Sequence, residues 1–539
     1  MLTIESGPRL AAELLLGDEA VALGAIDAGI AGAFSYAGTP ATEIFETVQA
    51  LAHDVWAGWS ANEKVAYEEA LGMSYVGKRA LVSMKHVGLN VASDPFMSSA
   101  LTGVNGGIVL AIGDDPGMHS SQNEQDSRFY AEFAKIPCLE PSNQQECYDM
   151  TREAFRLSEK FGLPVMVRLV TRLAHSRANV VRQLDDEAGR KDTFLPLPDR
   201  NDWTLVPANA RRRYRRLIEM QAALVKESEA SGFNKLKLAG KRGIICNSTG
   251  VNYVREVFGG DSEDSLLRIG MYPLPLELIH QLVDHCDEIV VIEEGYPYIE
   301  QHIKGLYGIH GKSVKGKLDG TLPPDGELLP ELVAQALGVP SPHPFDQDSL
   351  AANRPPQFCK GCPHAFSFSS LVDATAQFPD ALMFSDIGCY ALGLMPPYRA
   401  VHSCVDMGAS IGMAHGASRA GMHPVLCTIG DSTFGHSGMA AMLDAAHYDA
   451  NITVLIMDNA TTAMTGAQDS LATGEQLMVM LKGLGVKDLH MFEPLPKHHA
   501  QNVETLKNAI EHKGLSVIVS RRACIHIKPQ AKPLPQCKT

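Results

Sequence analysis

The stretch from Gly430 to Gln468, which begins G-D-S-T-F-G-H-S-G and ends D-N-A-T-T-A-M-T-G-A-Q, leaves this chain few folds to adopt. An apolar run from Pro424 to Ile429 reads as a strand, and Gly430-Asp431-Ser432 as a tight turn. The small-residue segment that follows reads as a helix, and Ile452 to Met457 as a second strand closing on Asp458-Asn459. The span 432–458 is about the length of one βαβ unit, roughly 30 residues, and strands joined that way place their following turns at one carboxyl edge. Asp431 and Asn459 can therefore converge. A carboxylate, an amide oxygen and a backbone carbonyl are hard ligands of the kind that Mg²⁺ takes alongside phosphate oxygens and water, and the helix after Gly430 would aim its first amides at the same phosphates. The pattern also fits an ordinary βαβ unit in which Asp431 and Asn459 cap helices.

These residues carry a resemblance. G-D-x…D-N is similar to the thiamine diphosphate motif usually written GDG…NN, with Ser432 in place of the glycine and Asp458 in place of the first asparagine. The longer string D-N-A-T-T-A-M-T-G-A-Q resembles the 2-oxoacid:ferredoxin oxidoreductases, most of all the large subunit of the indolepyruvate branch. The resemblance implies a multidomain α/β fold of two doubly wound parallel-sheet domains and a smaller domain like the transketolase carboxy-terminal one. It also implies that Asp431, Asn459 and the Thr461 carbonyl hold Mg²⁺, with Gly430 and Ser432 at the diphosphate.

At 539 residues the chain exceeds one core, and about 150 residues per domain gives three or four domains. With 47 basic and 62 acidic residues it carries a net charge of −15, which disfavours a nucleic-acid partner. Glu5 and Glu13 interrupt the amino-terminal apolar residues before a secretory signal develops, and no apolar run is long enough for a membrane span. Eleven cysteines without such a signal point to a reducing, cytoplasmic setting. The boundaries expected are a pyrimidine-binding domain at 1–181, a charged helical linker at 182–241, and the transketolase-like domain at 242–340. A proline-rich linker follows at 341–357, then the diphosphate and cluster domain at 358–528 and a tail at 529–539.

Along the first domain, strand ends carry polar groups. In A-G-T-P-A-T-E-I, Thr39 reads as an N-cap and Pro40 as the first helical residue. The resemblance puts Thr39 opposite the substrate carboxylate, with Gly38 beside it at the cofactor. In N-E-K-V-A-Y-E-E-A-L-G, Glu63 opens a helix whose inner face is expected to use Val65, Ala66, Ala70 and Leu71. Thiamine chemistry needs a carboxylic acid at N1′ of the aminopyrimidine, and the resemblance assigns that role to Glu63, which predicts burial; Glu68 and Glu69 compete for it. Lys85, His86 and Asn90 after one strand, and His119, Ser120, Ser121, Gln122 and Arg128 after another, offer donors for an anionic substrate. Arg128, planar and bidentate, or His119 is the choice for the carboxylate, although a loop arginine also suits an ion pair. Glu293 and Glu294 can pair as acid and base, but the Y-P-Y-I-E nearby reads as packing.

After the proline-rich linker stands F-C-K-G-C-P-H, with Cys359 and Cys362 in C-x-x-C spacing; Cys389 and Cys524 follow at a distance. Four thiolates suit a 4Fe–4S cluster or zinc. The resemblance implies the cluster, on Cys359, Cys362, Cys389 and Cys524, with Cys537 as the competing fourth ligand. Gly408, Gly412 and Gly416 recur at four-residue spacing and would let their helix approach a neighbour; His402 and His436 are candidates for the pocket wall. The family's large subunits usually continue into a domain with further cluster motifs, whereas this sequence stops at K-P-L-P-Q-C-K-T, so electrons are expected to pass to a cluster or flavin on another chain or to a ferredoxin.

The implied activity is oxidative decarboxylation of a 2-oxoacid, arylpyruvate-like, to an acyl-CoA with coenzyme A as co-substrate. A small beta/gamma-type catalytic subunit is the expected partner, in a hetero-oligomer with two copies of this chain. A non-oxidative thiamine decarboxylase would need no cysteine quartet, and a zinc-clipped interaction protein would need neither thiamine nor iron.

Overall fold

A computed structural model of the protein describes residues 11–183, 194–260, 262–305, 308–341 and 356–527. The chain forms two compact units, Met1–Gln347 and Asp348–Thr539. Their division falls within the expected linker 341–357, most of which lies outside the described residues.

The first unit is built on a seven-stranded sheet. Its order in space is Met271–Tyr272, Cys138–Leu139, Val165–Val170, Ile108–Asp114, Ala80–Lys85, Gly32–Ser35 and Trp56–Trp59. All pairings are parallel except that of Met271–Tyr272. The central strands A-L-V-S-M-K, I-V-L-A-I-G-D and V-M-V-R-L-V are buried at nearly every position, because helices cover both faces. Alternation sorts their side chains: Val82, Met84, Leu110 and Ile112 pack towards Ala66, Tyr67 and Ala70 of helix Glu63–Tyr75. Leu81, Val109, Ala111 and Val167 pack on the other side, against helices Gly17–Asp27 and Gln144–Phe161. Each fully buried Val, Leu, Ile or Met among them contributes about 1.5–3 kcal/mol. The inner face of helix Glu63–Tyr75 uses Tyr67 and Ser74 where Val65 and Leu71 were expected, and these two are only partly buried.

A second sheet in the same unit runs Ser313–Lys315, Glu288–Ile292, Arg242–Asn247, Ser265–Ile269 and Lys235–Lys237, parallel but for the last. Immediately after Ser265–Ile269 the chain crosses over to pair Met271–Tyr272 with Cys138–Leu139. Of the expected linker 182–241, the described part contains the helix Pro207–Ala230, which is not merely solvated. Arg213 turns inward and donates to the carbonyls of Leu101 (2.7 Å) and Thr102 (2.6 Å), while Leu217 and Leu224 are buried.

The second unit is a six-stranded, wholly parallel sheet in the order Ser403–Cys404, Leu382–Ser385, Val425–Gly430, Thr453–Asp458, Ser516–Arg521, Asp488–Phe492. The two strands read from the sequence are direct neighbours, with Gly430 opposite Met457. The turns after them accordingly lie side by side at the carboxyl edge. Helical structure starts at Asp431, passes through a π-helical turn at Phe434–Gly438 and continues as Met439–His447. Among the described residues, no helix is long and apolar enough to cross a membrane.

Candidate functional site

Asp431 stands at the start of that helical run, buried. Its Oδ1 receives the Asn459 N–H at 3.5 Å, whereas Oδ2 is buried and makes no hydrogen bond. Burial, and then the neighbouring Asp458 carboxylate, push its acid up to about 7. A buried carboxyl oxygen with no donor is costly unless a cation or proton meets it, so the donor set fits a hard divalent ion. Asn459 begins a tight turn in which Ala460 adopts φ 63°, a left-handed conformation costing roughly 1–2 kcal/mol. Three hydrogen bonds hold the turn: Asn459 Nδ2 to His364 Nε2 (3.2 Å), Thr461 N–H to Asn459 Oδ1 (3.3 Å), and Cys524 N–H to the Asn459 carbonyl (2.9 Å). The Ser432 hydroxyl pairs with that of Thr462 at 2.7 Å. Gly430 is required by contact, since a Cβ there would come within 2.6 Å of the Tyr390 ring.

Cys359 and Cys362 lie in a turn closed by the Cys362 N–H and the Cys359 carbonyl (3.1 Å), and Cys362 opens helix Pro363–Thr375. The structure brings Cys389 and Cys524 to them. Burial pushes the Cys389 thiol up to about 11, and the adjoining Cys362, Cys524 and Cys359 sulfurs raise it further. Burial likewise raises Cys362, against the amides of Ala365 and His364. His526 Nε2 lies 3.4 Å from Cys359 Sγ. Four thiols brought together in this way form a donor set suited to a soft cationic centre. Cys537 lies outside the described residues.

Glu63 is the first residue of its helix and is buried, with Asn62 capping the turn by accepting from Val65 N–H at 2.9 Å. Gly88 permits this, because a Cβ there would stand 2.6 Å from Glu63 Oε1. The competitors are exposed: Glu68 pairs with Lys64, and Glu69 accepts from the Ser60 hydroxyl at 2.6 Å. Lys85 Nζ donates to the Ser120 carbonyl (3.1 Å), and Asp115 gathers the Ser120 amide, the Ser121 hydroxyl and the Thr171 hydroxyl at 2.7–2.8 Å. Thr39 sits at this edge, half-buried, with the Ser120 hydroxyl 3.4 Å from its carbonyl, but it does not cap a helix. The helix starts at Thr42, whose own hydroxyl accepts from Gly38 N–H (3.0 Å), closing the turn ahead of it.

Arg128, expected at the substrate carboxylate, lies in the interior instead. It is completely enclosed, donating to both Asp126 oxygens (2.5–3.1 Å), to Glu293 (2.9 Å) and to the carbonyls of Glu294 and Tyr296 (3.0 Å each). Burial alone would raise Asp126, yet Arg128 and Arg168 hold it down at about 2. The guanidinium is spent on joining the two sheets of this unit and does not present a fork to a substrate. Arg128→Met is expected to destabilise the protein by about 3–5 kcal/mol, read as a fall in thermal midpoint, because the buried Asp126 and Glu293 would lose the guanidinium between them and keep only Arg168 and backbone amides. Glu293 and Glu294 are consumed in the same way, Glu294 accepting from Thr249 (2.7 Å) and Leu328 N–H (3.0 Å). His119 is exposed and faces Glu327 at 3.3 Å.

Two side chains, His364 and Asp458, had no role assigned from sequence. His364, held down to about 4 by burial, remains neutral and fixes the Asn459 amide; the C-P-H string contained it but offered no partner. Asp458 caps the segment after the turn through Thr473 (2.5 Å) and Gly474 N–H (3.0 Å) and pairs with Arg521 (2.9 Å), which accounts for an acid at that place. Of the three spaced glycines only Gly408 makes a close approach: a Cβ added there would meet Ser437 Cβ at 2.5 Å, whereas Gly412 and Gly416 face open space. His402 is exposed and its Nδ1 accepts from Met383 N–H; His436 is buried beside Ser437.

Residues 23–232 match the family described as "Pyruvate flavodoxin/ferredoxin oxidoreductase, thiamine diP-bdg", and residues 386–520 match "Thiamine pyrophosphate enzyme, C-terminal TPP binding domain". The chain is 36% identical to the indolepyruvate oxidoreductase subunit IorA of Archaeoglobus fulgidus over 96% of its own length and 87% of the relative's. The subunits of the same name from Thermococcus kodakarensis (37%, covering 95% and 85%) and Methanothermobacter thermautotrophicus (35%, covering 97% and 88%) are similarly related.

Proposed function

The chain belongs to the 2-oxoacid:ferredoxin oxidoreductase alpha subunits of the IorA kind, and from that premise we propose that it oxidatively decarboxylates an arylpyruvate such as indolepyruvate to the acyl-CoA. In this reading electrons leave through one 4Fe–4S cluster on Cys359, Cys362, Cys389 and Cys524 to a partner chain or ferredoxin. When bound, thiamine diphosphate supplies the nucleophilic carbon for decarboxylation and the cluster supplies one-electron acceptance.

One observation carries the proposal: Asn459 is hydrogen-bonded through its side chain to His364, two residues after Cys362, and through its carbonyl to the amide of Cys524. The turn assigned to the metal and diphosphate is thereby tied to the segments that hold the cysteines, which a simple zinc clip would not require. Asp431, Asn459 and the Thr461 carbonyl are the ligands proposed for Mg²⁺, with Gly430 and Ser432 against the diphosphate. Glu63 holds the proton at the aminopyrimidine nitrogen, and the turn at Gly38 and Thr39, with exposed His119, meets the substrate carboxylate. The relatives are subunits by name, which supports a partner polypeptide.

Protein purified anaerobically is expected to be brown, to contain about four iron atoms per chain, and to bleach on addition of indolepyruvate. A colourless protein with zinc at the cysteines would overturn the redox reading. Iron without bleaching by any 2-oxoacid, together with CO₂ release, would leave a non-oxidative decarboxylase.

A further inference from the structure

Behind the Gly38 to Thr42 turn, the first unit contains a cluster that the activity leaves unused. Asp18 lies in the first turn of helix Gly17–Asp27, Glu43 in the first turn of helix Thr42–Leu51, and His175 at the end of helix Thr171–His175. One ligand atom from each can be chosen so that all lie within 4.8 Å of one another. His175 Nε2 is 3.5 Å from Glu43 Oε2. Asp18 is wholly buried, and neither of its carboxyl oxygens makes a hydrogen bond; Glu43 Oε2 is likewise buried without one.

This arrangement is difficult to explain as packing. The Glu19 carboxylate next to Asp18 is engaged by Leu16 N–H at 2.7 Å and by Arg177, so helix entry is already satisfied without Asp18. A buried carboxyl with no donor forfeits hydration for nothing in return. Burial, then Glu43 and Glu19, hold the Asp18 acid well above its ordinary value, while His175 lowers Glu43 and is itself raised by it. His175 reaches Glu43, but no donor reaches the Asp18 carboxyl beside them.

We propose that Asp18, Glu43 and His175 form a site for a divalent transition-metal ion of the zinc class. One imidazole nitrogen and two carboxylate oxygens are ligands that zinc takes at about 2.0–2.2 Å, and two ligands at that range in a tetrahedron stand roughly 3.4 Å apart, close to the Glu43 to His175 gap. The imidazole argues against Mg²⁺ or Ca²⁺, which favour all-oxygen shells. Two carboxylates and a neutral imidazole balance the dipositive charge. Surface-exposed His175 and half-buried Glu43 leave an entry path and a position for water. An ion here ties the start of helix Thr42–Leu51, and with it the Gly38 to Thr42 turn, to two other helices.

The test uses the full-length protein as purified anaerobically, incubated with Zn²⁺ and desalted, with zinc measured by elemental analysis in wild type, Asp18→Asn and His175→Gln. Wild type should retain about one zinc ion per chain more than either variant. The difference cancels zinc held at the cysteines or at Asp431, so it does not depend on what those sites carry. Zinc should also raise the thermal midpoint of wild type but not of His175→Gln, a surface substitution compatible with folding even if Asp18→Asn is not. Equal zinc in wild type and His175→Gln, with equal midpoints, would overturn the site and leave Asp18 as a protonated buried acid.

Discussion

Turnover of 2-oxoacid is expected to fall about 10²–10⁴-fold in Glu63→Gln, the range a positioned acid–base group contributes, while the fold and the thermal midpoint stay close to wild type. Glutamine fills the same volume at the start of helix Glu63–Tyr75 and meets the same Gly88 backbone, so packing is preserved. What disappears is the carboxyl proposed to hold and release a proton at the aminopyrimidine. Glu68→Gln serves as the control: that side chain is exposed and pairs only with Lys64, so activity should stay within about twofold, surface ion pairs being worth little. Steady-state rates for both variants, with thiamine diphosphate retention measured in parallel, decide the matter. Full activity in Glu63→Gln would remove Glu63 from the mechanism.

The second large effect is at Asp431. Asp431→Asn should weaken Mg²⁺-dependent retention of thiamine diphosphate by roughly 100-fold or more, since even second-shell changes at metal sites cost about 10–100-fold. Without cofactor its effect has the opposite sign. The acid is raised from 3.8 to about 7 by burial and Asp458, so between those values the folded chain binds more protons than the unfolded one. Asp431 therefore stabilises the cofactor-free protein fully below the lower value, and this contribution is lost as pH rises through about 7. Stripped wild type should thus lose thermal stability relative to Asp431→Asn between pH 5 and pH 8, and added Mg²⁺ with thiamine diphosphate should restore the wild type alone. Parallel pH profiles for the two stripped proteins would refute the cause assigned to the shift.

Much of the scaffold was legible because its signals are local. Apolar runs bounded by Gly and Asn mark the strands Val425–Gly430 and Thr453–Asp458 within one residue of the sequence reading. The length between them implied parallel neighbours, which is how they pair. Thr39 shows the limit of such reasoning: threonine before proline matches a cap pattern, but the helix begins at Thr42, whose hydroxyl accepts from Gly38 N–H and closes the turn ahead of it.

Sequence by itself determined the α/β class, the turn at Asp431 and Asn459, and which cysteines were available, because periodicity and turn chemistry are properties of neighbouring residues. Tertiary structure alone decided what each charge does. Arg128 meets Glu293, Asp458 meets Arg521, and Asp18 meets Glu43 and His175. Such pairings depend on which strands and helices become adjacent, and on the desolvation that makes an unpartnered charge expensive. Neither is written in the spacing of residues along the chain.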